Sequence, residues 1–181
     1  MDAIKPLDIW FNAEHIKRAA WDLIFMDPTF DMDKYQWHNQ VSLRESTDWF
    51  AGTGSLYDYT KKEFIDSTSN YTQTAKKLEG SYLERVIKDV EAYAKRHYVN
   101  IGRVRIMRLQ PKTCYTLHTD LEEFRYHIPI ETNDSNFFVV NNVIYRMPLV
   151  GQMYRFRTQA PHTAVNASTE PRTHLVFDTF T

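Results

Sequence analysis

Glycine is scarce in this chain, five among 181 residues, which leaves little material for the glycine-rich loops that cradle nucleotide phosphates. Cysteine is scarcer still. Cys114 stands alone, so no intramolecular disulfide can form, and the expected setting is a reducing, cytoplasmic one with Cys114 as an inert, partly buried thiol. No run approaches the roughly 18 consecutive apolar residues of a membrane span. The opening stretch, with Asp2 and Asp8, lacks the apolar core of a secretory signal. Charge of one sign is also missing. Lys plus Arg number 22 against 23 Asp plus Glu, a formal net charge of −1, which excludes the basic footprint of a nucleic-acid binder or a polybasic membrane binder. The expected partner is a small-molecule or peptide substrate, with no nucleic acid and no membrane.

What the chain does have is aromatic: 11 Tyr, 11 Phe and 4 Trp make 14% of the residues, and 43% are hydrophobic, enough to build a core and a composition that suits strands. At about 150 residues per domain the length corresponds to one domain over 1–181. Its first part, 1–101, is mixed and helical. Its second part, 102–181, is rich in strands.

Asn12 can cap a helix in which Ile16, Ala19, Ala20, Leu23 and Ile24 recur at helical spacing until Asp27-Pro28 stops it. Ser81 followed by Glu84 has the form of a capping box, and Leu83, Val86, Ile87, Val90, Tyr93, Ala94 and His97 trace one face of a second helix, which His97 closes. Beyond Gly102 the period changes. Short runs at 103–109, 115–120, 124–132, 137–141, 143–147, 152–158, 162–166 and 172–180 read as strands, and Asn141-Asn142 fits a tight hairpin. This predicts a mainly β barrel or two-sheet roll with flanking helices covering one sheet. A strand over 36–43 can extend that sheet, 44–59 reads as a long loop, and Trp10, Trp21 and Trp37 read as core or helix-to-sheet packing.

His118 and Asp120 stand two apart in the predicted strand 115–120, so both fall on one face, roughly 7 Å apart at Cα. His162 lies 42 positions after Asp120. Two imidazoles and a carboxylate can hold a non-haem Fe(II) with positions left open, and Zn²⁺ accepts the same set. A His and an Asp at this spacing are also a common surface pair. Arg172 heads an apolar strand, so its guanidinium is predicted inside the roll, where it needs a carboxylate that a dicarboxylate ligand can supply. Arg125 and His127 make another same-face pair; Arg125 can alternatively pair with Glu122 or Glu123, and His127 can be a core histidine.

In their order, His118-x-Asp120, Arg125-x-His127-Ile128-Pro129-Ile130, Gly151, His162 with Asn166 behind it, and Arg172-x-His174-Leu175 followed by Asp178 resemble the aspartyl/asparaginyl β-hydroxylase family of 2-oxoglutarate-dependent Fe(II) oxygenases. The family includes hydroxylases of free proline. The resemblance covers about 75 residues, 107–180, and implies a double-stranded β-helix, the cupin-like jelly roll. It implies Fe(II) on His118, Asp120 and His162, with O₂ and 2-oxoglutarate as co-substrates. Arg172 would take the distal carboxylate of 2-oxoglutarate, and His127 would hydrogen-bond its other end. Arg125 would face a substrate carboxylate, and His174 would contact substrate or orient a neighbour. Animal aspartyl hydroxylases of the family carry glycine in place of the carboxylate ligand. Asp120 therefore makes this chain more similar to the small-substrate members. The expected activity is hydroxylation of an unactivated C–H, with a free, proline-like amino acid favoured over Asp, Asn or Pro within a peptide. The other readings are a cupin-type metal enzyme that does not use 2-oxoglutarate and a non-enzymatic small-molecule binding roll.

Overall fold

The computed structural model describes residues 2–25, 40–46, 56–58, 60–64 and 66–181. The elements in chain order are β1 (Ile4–Trp10), α1 (Ala13–Phe25), β2 (Gln40–Ser42), β3 (Arg44–Ser46), β4 (Tyr57–Asp58), β5 (Glu63–Phe64), β6 (Tyr71–Thr74), α2 (Tyr82–Arg96), β7 (Asn100–Leu109), β8 (Thr113–Cys114), β9 (Phe124–Glu131), β10 (Asn136–Val140), β11 (Val143–Tyr145), β12 (Gln152–Arg157), β13 (His162–Asn166) and β14 (Arg172–Phe180). Six strands form one antiparallel sheet in the order β1-β12-β9-β14-β7-β2, and four form a second, β11-β10-β13-β8. Ile4, Leu109, Tyr154 and Phe156 of the first meet Phe138, Val140 and Ala164 of the second in one apolar cluster, so the sheets pack face to face as a jelly roll.

The helices cover the outer face of the larger sheet. The Asn12 side chain accepts from the His15 backbone N–H at 3.0 Å and starts α1, which buries Ile16 and Ala20. Ser81 caps α2 by accepting from the Glu84 N–H at 3.2 Å, and the Glu84 carboxylate reaches back to the Gly80 N–H at 2.9 Å. Leu83, Val86, Ile87, Val90 and Ala94 then enter a cluster with Val104, Ile128, Leu175 and Phe177. Each larger side chain among them gains roughly 1.5–3 kcal/mol over exposure. The helix ends in a Schellman arrangement: Val99 N–H bonds the Ala94 carbonyl at 3.0 Å while Tyr98 takes φ +58°. Asn141 and Asn142 both have positive φ, 48° and 65°, which gives the β10–β11 hairpin the twist that such a two-residue turn requires. Gly151, at φ +79°, lets its carbonyl accept from Phe11 N–H at 2.8 Å, where a Cβ would strike the Phe11 carbonyl oxygen.

Several expectations need correction. The predicted strand 115–120 is not one. Pairing of β8 with β13 ends after Cys114, because the Tyr115 and Thr116 carbonyls are taken by side chains, the Thr163 hydroxyl at 2.6 Å and the His118 ring at 2.7 Å. Residues 44–46 are not loop but strand β3 paired with β6, since the Arg44 guanidinium is buried and donates to the carbonyls of Ile101, Gly102 and Tyr71 while it pairs with Glu91. Residues 57–58 of that stretch are likewise strand, β4 paired with β5, and 47–55 and 59 lie outside the described residues, as do 36–39 of the predicted strand 36–43 and Trp37; residues 40–42 of that strand are β2, and Leu43 links it to β3. Trp10 is 54% exposed on the edge strand β1, and Cys114 is exposed too. Strand β1 itself was not anticipated. Pro6 interrupts its pattern, and an edge position tolerates Pro because one side needs no ladder donor.

Candidate metal and co-substrate site

His162 opens β13, and His118 meets it through an isolated antiparallel bridge, with their rings 4.4 Å apart. Asp120 is held two residues on by a bond from its N–H to the Thr158 carbonyl at 3.0 Å. One ligand atom from each of His118, Asp120 and His162 lies within 4.8 Å of the others. Both rings face Nδ1 to a backbone carbonyl, His118 to Thr116 at 2.7 Å and His162 to Ala160 at 2.8 Å. A carbonyl only accepts, so Nδ1 carries a proton in each, and the neutral form of either ring presents its lone pair at Nε2. Asp120 Oδ2 is buried, 3.4 Å from His162 Nε2 and 2.7 Å from the Arg125 guanidinium. Burial opposes its ionisation, but the neighbouring Arg125 guanidinium is the largest of the opposing influences, and the Asp120 pKa comes down to about 2. Two ring nitrogens able to present lone pairs and an ionised carboxylate fit a divalent cation. The site opens toward solvent at His118, whose side chain is 37% exposed, between the exposed Leu117 and Leu121.

Phe156 touches the His162 ring at 4.9 Å, Phe138 touches Phe156 at 4.9 Å, and the Arg172 guanidinium lies over Phe138 at 4.5 Å, so an aromatic wall runs from the triad to Arg172. Arg172 is buried and meets no carboxylate among the described residues. Desolvation lowers its pKa to about 10, with Tyr115 acting in the opposite direction. It donates to His174 Nδ1 at 3.1 Å, and the same Nδ1 lies 3.3 Å from His127 Nδ1. Burial and then the Arg172 charge push both histidines well below the usual imidazole range, so both are neutral. The Nε2 atoms of His127 and His174 are buried without partners. A buried guanidinium lacking an anion beside two orphaned ring nitrogens fits a ligand with carboxylates.

Arg125 is differently placed. Its Nη1 stands 2.7 Å from Asp120 Oδ2, its Nη2 3.2 Å from Glu122 and its Nε 2.7 Å from Asp178. The Glu122 pair is the alternative noted from the sequence; the other two contacts are additional. Asp178 also receives Arg103 Nε at 2.6 Å and Arg105 Nη2 at 3.0 Å. Sequence reasoning missed Arg103 and Arg105. Their signal is visible in retrospect: two arginines two apart in β7, on the face opposite the apolar Val104 and Ile106. Asn166 serves the fold, its amide donating to the carbonyls of Leu109 and Glu170.

The family model for aspartyl/asparaginyl β-hydroxylase matches residues 30–181. No curated protein matches the chain. Among solved structures, AviO1 from Streptomyces viridochromogenes Tue57 is similar over 99% of this chain and 90% of its own, at 13% identity and a TM-score of 0.57. The viral collagen prolyl hydroxylase vCPH from Paramecium Bursaria Chlorella virus-1, in its 2OG complex, matches 98% and 96% at 9% identity and a TM-score of 0.54. An oxidoreductase of the 2OG-Fe(II) oxygenase family from Burkholderia pseudomallei matches 52% of this chain and 56% of its own, at 19% identity and a TM-score of 0.44, so this chain spans little more than half of that relative.

Proposed function

The chain belongs to the aspartyl/asparaginyl β-hydroxylase family of 2-oxoglutarate- and Fe(II)-dependent oxygenases, and from that premise we propose that it hydroxylates an unactivated C–H bond of a free amino acid, proline or a close analogue. The observation that carries this reading is the convergence of His118, Asp120 and His162, joined by the Phe156–Phe138 wall to a buried Arg172 that lacks a carboxylate. No helix among the described residues is long and apolar enough to cross a membrane. A single catalytic domain acting in the cytoplasm is the accompanying proposal.

His118 and His162 would hold Fe(II) through Nε2 and Asp120 through its carboxylate. Bound there, the metal would supply O₂ activation, with one oxygen atom going to succinate as 2-oxoglutarate is decarboxylated and the other to the substrate as a hydroxyl. Arg172 would receive the distal carboxylate with two parallel N–H donors, the geometry for which a planar guanidinium is suited. His174, donating nothing to Arg172 but accepting from it, fixes the plane of that fork. His127 would serve the end nearer the triad by donating from its orphaned Nε2, in the tautomer whose Nδ1 does not donate to His174. Phe138 and Phe156, both buried, would keep water from a ligand bound between the triad and Arg172. The exposed Leu117 and Leu121 would give the entrance an apolar rim suited to an aliphatic ring.

The test is succinate release from 2-oxoglutarate by the iron-loaded protein across a panel of free amino acids and short peptides. Stimulation by proline or a similar amino acid supports the reading. Stimulation by peptides alone moves the substrate to a residue within a chain, and metal-dependent turnover that needs no 2-oxoglutarate rejects the reaction type.

A further inference from the structure

We propose that Arg125 is a positioning residue for Asp120, braced from behind by Asp178, rather than the group that clamps a substrate carboxylate. The inference rests on the metal reading above and concerns how that metal site is held in shape.

The brace follows from strand register. Arg125 on β9 lies directly opposite Asp178 on β14 and opposite Phe156 on β12, so its side chain is confined on both sides along the inner face of the larger sheet. Its Nε meets Asp178 Oδ1 at 2.7 Å, which points the far end of the guanidinium at Asp120 Oδ2, 2.7 Å from Nη1. Asp178 cannot follow it outward. That carboxylate is wholly buried and held by Arg103 and Arg105 from the next strand, β7.

Asp120 needs such a brace. It lies outside every strand, and its backbone is tied by the bond to Thr158, while the Thr158 N–H and hydroxyl hold the carbonyls of Glu123 and Glu122 at 3.1 and 2.8 Å. These bonds fix the main chain but not the rotation of the carboxylate. Arg125 on Oδ2 fixes that rotation and so determines how the oxygens face the two imidazoles.

The charge balance argues against a clamp. Arg103, Arg105 and Arg125 face Asp120, Glu122 and Asp178, three guanidiniums against three carboxylates, so the cluster holds no surplus cation for a fourth carboxylate. Arg172 presents the opposite situation, a cation with no carboxylate among the described residues.

The experiment is a Mn(II) titration of metal-free wild-type protein and of Arg125→Lys, followed by the electron paramagnetic resonance signal of the unbound ion, with circular dichroism to verify folding. Lysine keeps the charge and loses the fork, so any change in affinity is geometric. A positioning role raises the Mn(II) dissociation constant by about tenfold or more, and kcat falls without a selective rise in the amino-acid KM. An unchanged Mn(II) dissociation constant with a raised substrate KM overturns the proposal in favour of a clamp. Failure of the wild type to bind Mn(II) is a different result, which overturns the metal reading and this inference with it. If Arg125→Lys does not fold, a crystal structure of the wild type with Mn(II) and proline decides. Arg125 remaining on Asp120 supports the brace, and Arg125 turned onto the amino acid overturns it.

Discussion

His118 and His162, 44 positions apart in the chain, exchange both backbone hydrogen bonds, N–H to carbonyl at 3.0 and 2.8 Å, so main chain alone sets two imidazoles side by side. The side chains add their own constraint, each ring tied to a carbonyl two residues upstream. Ligand placement therefore survives the loss of either imidazole, which separates metal binding from folding.

Replacing His162 by alanine should accordingly leave the circular dichroism spectrum unchanged while abolishing stoichiometric Fe(II) binding. Metal analysis of protein loaded without oxygen checks this, and full iron occupancy in the variant removes His162 from the site.

Arg172→Lys keeps the charge but cannot make two parallel contacts to one carboxylate. The dissociation constant for 2-oxoglutarate, measured by calorimetry in the presence of Mn(II), should rise by about tenfold or more. An unchanged constant makes Arg172 a structural residue.

Acid should unfold the metal-free protein in two stages. His127 and His174 stay neutral in the fold, whereas unfolded histidines take up protons below about pH 6.5, so each removes about 1.4 kcal/mol of stability per pH unit below that point. Asp178 is the opposite case. Burial opposes its charge, the three arginines prevail and depress its pKa, and its contribution is complete above about pH 3.9 and lost as the pH falls further. Thermal melts between pH 8 and 3 should fall first below about 6.5 and again below about 3.9, and His174→Gln should flatten the first stage. A flat melting temperature down to pH 5 contradicts neutral buried histidines.

Tyr98 adopts a left-handed conformation at the end of α2 and is 94% exposed, so its ring gains little from packing. Tyr98→Gly should raise stability by up to about 1 kcal/mol, read in urea unfolding, because glycine has no Cβ to strain there. Destabilisation by the same amount shows that the ring has a packing role.

The fold was legible wherever one period dominated. The β13 and β14 strands occupy the predicted 162–166 and 172–180, and α2 buries the stripe read from Leu83 to Ala94, because burial on one face leaves a strong pattern. Where polar side chains compete with the backbone, the pattern misleads. The segment 115–120 alternates like a strand, yet Thr163 and the His118 ring take the carbonyls that a ladder would use. The grouping of His118, Asp120 and His162 was legible through the ordered motif and its family resemblance rather than through strand geometry, since residues 118 and 120 do not share a strand. The cluster on Asp178 was not, since a lone aspartate in an apolar strand does not reveal that arginines from two neighbouring strands will surround it.

The triad and Arg172 should together be required for 2-oxoglutarate turnover. The most direct test is release of labelled CO₂ from carboxyl-labelled 2-oxoglutarate by the iron-loaded protein in air with a pool of amino acids, beside Asp120→Ala and Arg172→Ala. The wild type should release CO₂, and both variants should lose that release. No release by the fully iron-loaded wild type, or release undiminished in either variant, would contradict this expectation.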